Sequence, residues 1–161
     1  MLPIGPEKIR ALLPSIDGNQ LDVGLYQKTG VFIIRQALPS ADVRNWQAAW
    51  EKFYQSLRSA GRQINPRNEA IVNESAPPEL TDIYKNPALV DIAEKVCGPN
   101  LAYYFQRLLS KDRDNVAPVF LHQDFAYNVG WPDKLSIFVP VNPMGPDNGG
   151  LVLFPGTHQY G

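Results

Sequence analysis

Beyond residue 98 the chain is cut into short apolar runs by proline and glycine. The runs "NLAYYFQRLLSK", "APVFLHQDFAY", "KLSIFVPV" and "GGLVLFP" are of strand length, and the text between them is turn chemistry, as in "VGWPDK" and "NPMGPDNGG". No helix-length segment separates them. A parallel strand pair needs a crossover of a dozen residues or more, so these runs predict a mostly antiparallel sheet.

The text before residue 98 is different. Residues 6–13 and 20–27 read as short helices, and "GVFII" at 30–34 as a strand opened by a glycine. In "LPSADVRNWQAAWEKFYQSLRSAG", Val43, Trp46, Trp50, Phe53, Tyr54 and Leu57 recur at three- and four-residue steps and make one apolar stripe of a helix. Ser40 is the expected N-cap, Asp42 suits the positive end of the dipole, and Gly61 is a stop. Residues 62–78 read as a loop. Asn86 and Pro87 then open "NPALVDIAEKVCG", with Gly98 as its end and Leu89, Val90, Ile92, Ala93 and Val96 as its buried face. Helices over 1–98 and a β-rich core over 99–161 give an α+β class within a single domain spanning 1–161.

Composition narrows the function classes. The chain is 44% hydrophobic and 19% charged, with 15 basic and 16 acidic residues and a net charge of −1. That reads as globular, with no block of like charge to suggest a nucleic-acid partner or a membrane surface. One cysteine, Cys97, excludes an intrachain disulfide framework and reads as a packing residue. No secretory start and no run of ~20 apolar residues stand out, so the expected setting is cytoplasmic.

The chemistry centres on "LHQDFAYN". On a strand, His122 and Asp124 leave the same face about 7 Å apart along the backbone. An imidazole and a carboxylate make two vertices of a facial metal site of the kind that leaves positions open on ferrous iron. Zinc hydrolysis is the competing use of such a pair, but it wants a third ligand and a bound water. On the run ending "FQRLLSK", Gln106, Leu108 and Ser110 share one face, and Arg107, Leu109 and Lys111 the other. Lys111 suits an anionic cosubstrate, or alternatively a solvated loop start.

Three segments together resemble the phytanoyl-CoA dioxygenase family of Fe(II)/2-oxoglutarate oxygenases. They are "YQKTGVFIIRQALPSADV", "HQD" and "DNGGLVLFPGTH", the last being similar to the family's "x-N-G-x-L-x-x-x-P-G-[ST]-H". The resemblance covers about residues 25–161. It implies N-terminal helices packed on a double-stranded β-helix, a jelly-roll relative of the cupins. It implies His122 and Asp124 as ligands of Fe(II), with 2-oxoglutarate as cosubstrate and O2 as oxidant. Lys111, Gln123 and Gln106 would face 2-oxoglutarate. Phe138 would line the substrate pocket, or else pack as a core phenylalanine. Tyr127 and Trp131 would border the pocket in "YNVGWPDK", as substrate contacts or as packing. A carboxylate at 124, where halogenases of this group carry a small residue, implies hydroxylation.

The family's second histidine ligand and its 2-oxoglutarate arginine lie beyond the "PGTH" corner, and neither is in this sequence. The corner histidine, His158, is not a ligand in the family and is expected to hold the turn by hydrogen bonding. The chain therefore reads as the N-terminal portion of a dioxygenase, with the barrel incomplete. Its substrate would be a small organic or acyl-CoA-type molecule; the oligomeric state is left open. The alternative is a non-catalytic, cupin-like binding module.

Overall fold

The computed structural model describes residues 15–17, 21–61, 76–111, 119–123, 134–145 and 147–160. The chain divides into two units, one of Met1–Ala37, His122–Asp133 and Val152–Gly161, the other of Leu38–Leu121 and Lys134–Leu151.

In the first unit, strand β1 (Ser15–Asp17) pairs in parallel with β2 (Ile33–Arg35), Ile16 opposite Ile34. Between them lies helix α1 (Val23–Thr29). The expected helix at 20–27 is thus displaced toward the C-terminus, and its caps explain why. Asp22 accepts from the Leu25 amide at 3.0 Å and fixes the start. Gly30, in the left-handed region at φ 72°, turns the chain out, its amide donating to the Tyr26 carbonyl at 2.7 Å. Gly30 therefore ends a helix rather than opening a strand. Tyr26 packs edge-to-face on Phe32, centroids 5.3 Å apart. The expected helix at 6–13 lies outside the described residues.

The second unit is built on helix α2 (Ser40–Ser59), α3 (Pro78–Thr81), a 3₁₀ turn (Ile83–Lys85) and α4 (Pro87–Cys97). Ser40 is the first helical residue of α2 rather than its cap. The cap position falls on Pro39, whose carbonyl takes the Asp42 amide, and Ser40 makes no capping bond. The stripe on α2 is as the spacing requires. Trp46, Phe53 and Leu57 are buried, with Val43 and Trp50 half-buried beside them. They pack with Leu80, Ile83 and Leu89, each such side chain worth about 1.5–3 kcal/mol of transfer free energy. Leu80 is the most enclosed, at 1% exposure. The loop expected to 78 ends sooner, because Pro78 occupies the first position of α3, where its missing N–H costs nothing.

Helix α4 starts and stops where local chemistry places it. Asn86 Oδ1 accepts from the Ala88 amide, and Gly98 follows at φ 86°. Leu89 and Ile92 are buried, but Val90 is exposed, one face short of the stripe assumed for it. Cys97 is exposed at the helix end rather than packed within the core.

Among the described residues, β1 and β2 are the only strands, and their pairing is parallel. The runs beyond residue 98 form no ladder there. They keep the strand period all the same: Gln106, Leu108 and Ser110 are half-buried, while Phe105, Arg107, Leu109 and Lys111 are exposed. Leu108, Val139 and Val141 reach the core. Other apolar side chains of these runs, Tyr104, Phe105, Phe120 and Leu121 among them, lie open to solvent. Period 2 sets which side chains share a face. A strand requires in addition a neighbour for its amides and carbonyls. The result is a helix-rich mixed fold. No helix among the described residues is long and apolar enough to cross a membrane.

Candidate functional site

His122 and Gln123 belong to the first unit, and both are exposed. Asp124, Tyr127 and Trp131 lie outside the described residues. Gln123 Nε2 donates to the Thr157 carbonyl at 3.0 Å, so the middle residue of "HQD" is tied to the "PGTH" corner. The corner is a 3₁₀ turn (Thr157–Tyr160) entered through Gly156 at φ 84°. Thr157 Oγ1 donates to the Phe154 carbonyl at 2.8 Å and closes it.

His158 does more than hold its own turn. Its Nε2 bonds the Gln27 carbonyl of α1 at 3.0 Å, 131 positions away in sequence. A carbonyl only accepts, so Nε2 carries the proton in this contact. The imidazole lies where a side chain at residue 30 would stand: a Cβ built on Gly30 overlaps the ring. Gly30 is thus required both by its positive φ and by its neighbour, where sequence reasoning saw only the opening of a strand. A glycine directly after the helical run "VGLYQKT" was the available signal.

Gln106, Lys111 and Phe138 belong to the second unit. Gln106 accepts from the Tyr84 amide at 3.2 Å and donates to the Leu80 carbonyl, bracing the run 101–111 against α3 and the turn after it. One N–H and one lone pair of its amide remain for another partner. Tyr103, on the same run, stacks on Tyr84 with centroids 3.8 Å apart. Burial, and then the Tyr84 ring beside it, raise the Tyr103 hydroxyl above the ordinary tyrosine range. Phe138 is half exposed, at 54%; of the two readings of this residue, that is not the environment of a core phenylalanine.

Lys111 lies against the "DNGG" turn. A Cβ on Gly149, at φ 85°, would stand 2.8 Å from Lys111 Cδ, so the aliphatic stem runs over bare backbone. Asn148 sets that turn: its Oδ1 accepts from the Gly145 amide at 2.6 Å and its Nδ2 donates to the Pro143 carbonyl at 2.7 Å. Gly150 is pressed on the Gly145 carbonyl, 2.7 Å from where a Cβ would sit. Each residue of "NGG" thus has a steric or hydrogen-bonding reason. An open cleft of about 340 Å³ in this unit is lined by Asp42, Trp46, Pro78, Glu79, Asp82, Lys85 and Asn86, none of them among the residues expected to carry chemistry.

The family described as "Phytanoyl-CoA dioxygenase (PhyH)" matches residues 26–161. The chain belongs to this family. It is 24% identical over 168 residues to the human protein named "Phytanoyl-CoA dioxygenase, peroxisomal" and 22% identical over the same length to its rat counterpart. Each alignment covers 90% of this chain and 50% of the relative, so the chain spans about half the length of the curated relatives it matches. No solved structure matches it. The matched span takes in α1 from Tyr26, "HQD" and the corner, so the motifs that the structure ties together all fall inside the family's own pattern.

As a test of fit, the donor set is the relevant observation. His122 offers an imidazole and Asp124 a carboxylate, which are ligand types that ferrous iron accepts. Among the described residues no cluster of three or more His, Cys, Asp or Glu stands ready for a metal.

Proposed function

We propose that this chain carries part of the active site of an Fe(II)- and 2-oxoglutarate-dependent dioxygenase that hydroxylates a small organic or acyl-CoA-type substrate. The observation that carries this reading is the family match over residues 26–161, which contains both proposed metal ligands, His122 and Asp124. When bound, the iron supplies the oxygen chemistry that couples 2-oxoglutarate decarboxylation to hydroxylation. The chain's residues bind and orient. His122 donates a neutral ring nitrogen and Asp124 a carboxylate oxygen. Lys111 offers an ammonium to the dicarboxylate cosubstrate, its stem steadied on Gly149. Gln106 and Gln123 face the same cosubstrate with what remains of their amide valence. Phe138, Tyr127 and Trp131 line the substrate pocket. The extended runs beyond residue 98 contribute strands to a jelly-roll core within one domain. The cytoplasm is the compartment suggested by the sequence; the two relatives are peroxisomal by name.

The test is turnover. Purified protein is supplied with Fe(II), ascorbate and 2-oxoglutarate, and succinate is measured. Iron-dependent succinate that disappears in His122→Ala is the expected result. Equal turnover in His122→Ala refutes the ligand assignment. Binding of 2-oxoglutarate without turnover supports a binding module instead, and bound zinc with no response to 2-oxoglutarate supports a hydrolase.

A further inference from the structure

The last four carbonyls of any helix lack partners within it. In α1 these belong to Tyr26, Gln27, Lys28 and Thr29, and all four are satisfied. The Gly30 amide takes Tyr26 at 2.7 Å. The other three are taken by the corner: His158 Nε2 on Gln27 at 3.0 Å, Gln159 Nε2 on Lys28 at 3.3 Å, and the Gly156 amide on Thr29 at 2.7 Å. The corner is thus the C-terminal cap of a helix that precedes it by more than a hundred residues. Its fourth outward bond, from Gln123 to the Thr157 carbonyl, leads to the residue between the two proposed metal ligands.

We propose that Gly30, His158 and Gln123 form a positioning relay, in which the end of α1 seats the corner and the corner holds Gln123, so that the adjoining His122 is presented to the metal. The metal half of this statement rests on the function proposed above. The relay itself rests on contacts within one unit.

Its physics is steric and directional. Gly30 leaves room for the imidazole, and any side chain there would push the corner off the helix end. His158 supplies a donor to the Gln27 carbonyl, which carries part of the negative end of the dipole. Gln123 has one amide N–H committed to the corner. Fixing Gln123 to the corner also fixes the backbone from which its neighbour His122 projects. No residue of the relay touches the metal, so these are positioning residues. Groups that orient a metal ligand typically change affinity by about 10–100-fold when removed.

The experiment uses the whole chain and two readouts. The first is the NMR resonances of the His122 backbone amide and the Gln123 side-chain amide, without metal. The second is Co(II) binding, as a spectroscopic substitute for Fe(II). His158→Ala, Gly30→Ala and Gln123→Glu should each move both resonances or remove the Gln123 signal. His158→Gln, which returns an N–H to the Gln27 carbonyl, should restore most of the native pattern. The double variant His158→Ala/Gln123→Glu should move His122 no further than Gln123→Glu alone, because both interrupt one path. Co(II) binding should weaken about tenfold or more in the three single variants. Should Gly30→Ala or His158→Ala fail to fold, the exposed Gln123→Glu decides by itself. An unchanged His122 resonance in Gln123→Glu overturns the relay. Native Co(II) affinity in that variant overturns its positioning role. Moving resonances with no Co(II) bound by the wild type leave the relay standing and sink the metal assignment.

Discussion

Asn86 joins two helix starts, and its removal should cost more than the loss of a cap. Its Oδ1 accepts the Ala88 amide at 3.0 Å, which caps α4. Its Nδ2 donates to Asp42 Oδ2 at 2.9 Å, in the first turn of α2. A lost Asn cap costs about 1 kcal/mol. A hydrogen bond to a charged group contributes about 1.5–3 kcal/mol, and this one is only part-buried, so the lower figure applies. Asn86→Ala should therefore destabilise by about 2.5 kcal/mol. At about 2–4 °C per kcal/mol for a chain of this size, the melting temperature should fall by about 5–10 °C. Two further variants divide the total. Asn86→Ser keeps a capping oxygen but cannot span to Asp42, and should lose about 1.5 kcal/mol. Asn86→Asp keeps the acceptor but sets a second carboxylate against Asp42. It should be at least as damaging as Asn86→Ala at neutral pH, and should recover as pH falls through the carboxylate range near about 4, where protonation restores a donor. Urea denaturation followed by circular dichroism measures all three. A loss below about 0.5 kcal/mol in Asn86→Ala, or equal losses in the alanine and serine variants, refutes the two-part assignment.

Two other outcomes are expected. The Tyr103 hydroxyl is raised in the folded state by burial and by Tyr84, so the neutral ring's contribution is fully present below the unfolded tyrosine value near about 10 and is lost as pH rises through the higher folded value. Phenolate absorbance should show a late-titrating component that moves toward the ordinary range in Tyr84→Ala; no change in that variant removes Tyr84 as a cause. Gly149→Ala combines a left-handed backbone with a Cβ 2.8 Å from Lys111 Cδ, should cost about 1–2 kcal/mol, and should weaken 2-oxoglutarate binding by calorimetry by displacing the Lys111 stem; native stability and affinity together contradict the contact.

Local chemistry was legible in the sequence wherever it was self-contained. Asn86, Pro87 and Gly98 bound α4 by short-range rules, and the Trp46, Phe53 and Leu57 stripe follows from helical spacing alone. Alternation over 105–111 was legible for the same reason. Pairing was not, because it needs a second segment to be identified. The parallel partner of Ile33–Arg35 is Ser15–Asp17, a run with too little apolar pattern to announce itself. For the candidate site, the motifs name residues one at a time, while their connections stayed hidden. Nothing local in "KTGVF" says that its glycine is shaped around a histidine at 158, or that Gln123 reaches Thr157. The family's pattern lists such residues in order and is silent on which ones touch.

The borrowed cap on α1 has a consequence for how the protein is made. During synthesis the helix at 23–29 emerges early, but three of its terminal carbonyls have no protein donor until residues 156–159 have been translated. A seven-residue helix is too short to persist alone in water. This unit must therefore mature late, after the segment 38–121 has had time to gather its own core. Agents that slow or interrupt elongation will leave the amino-terminal helix, rather than that core, exposed to proteases and chaperones.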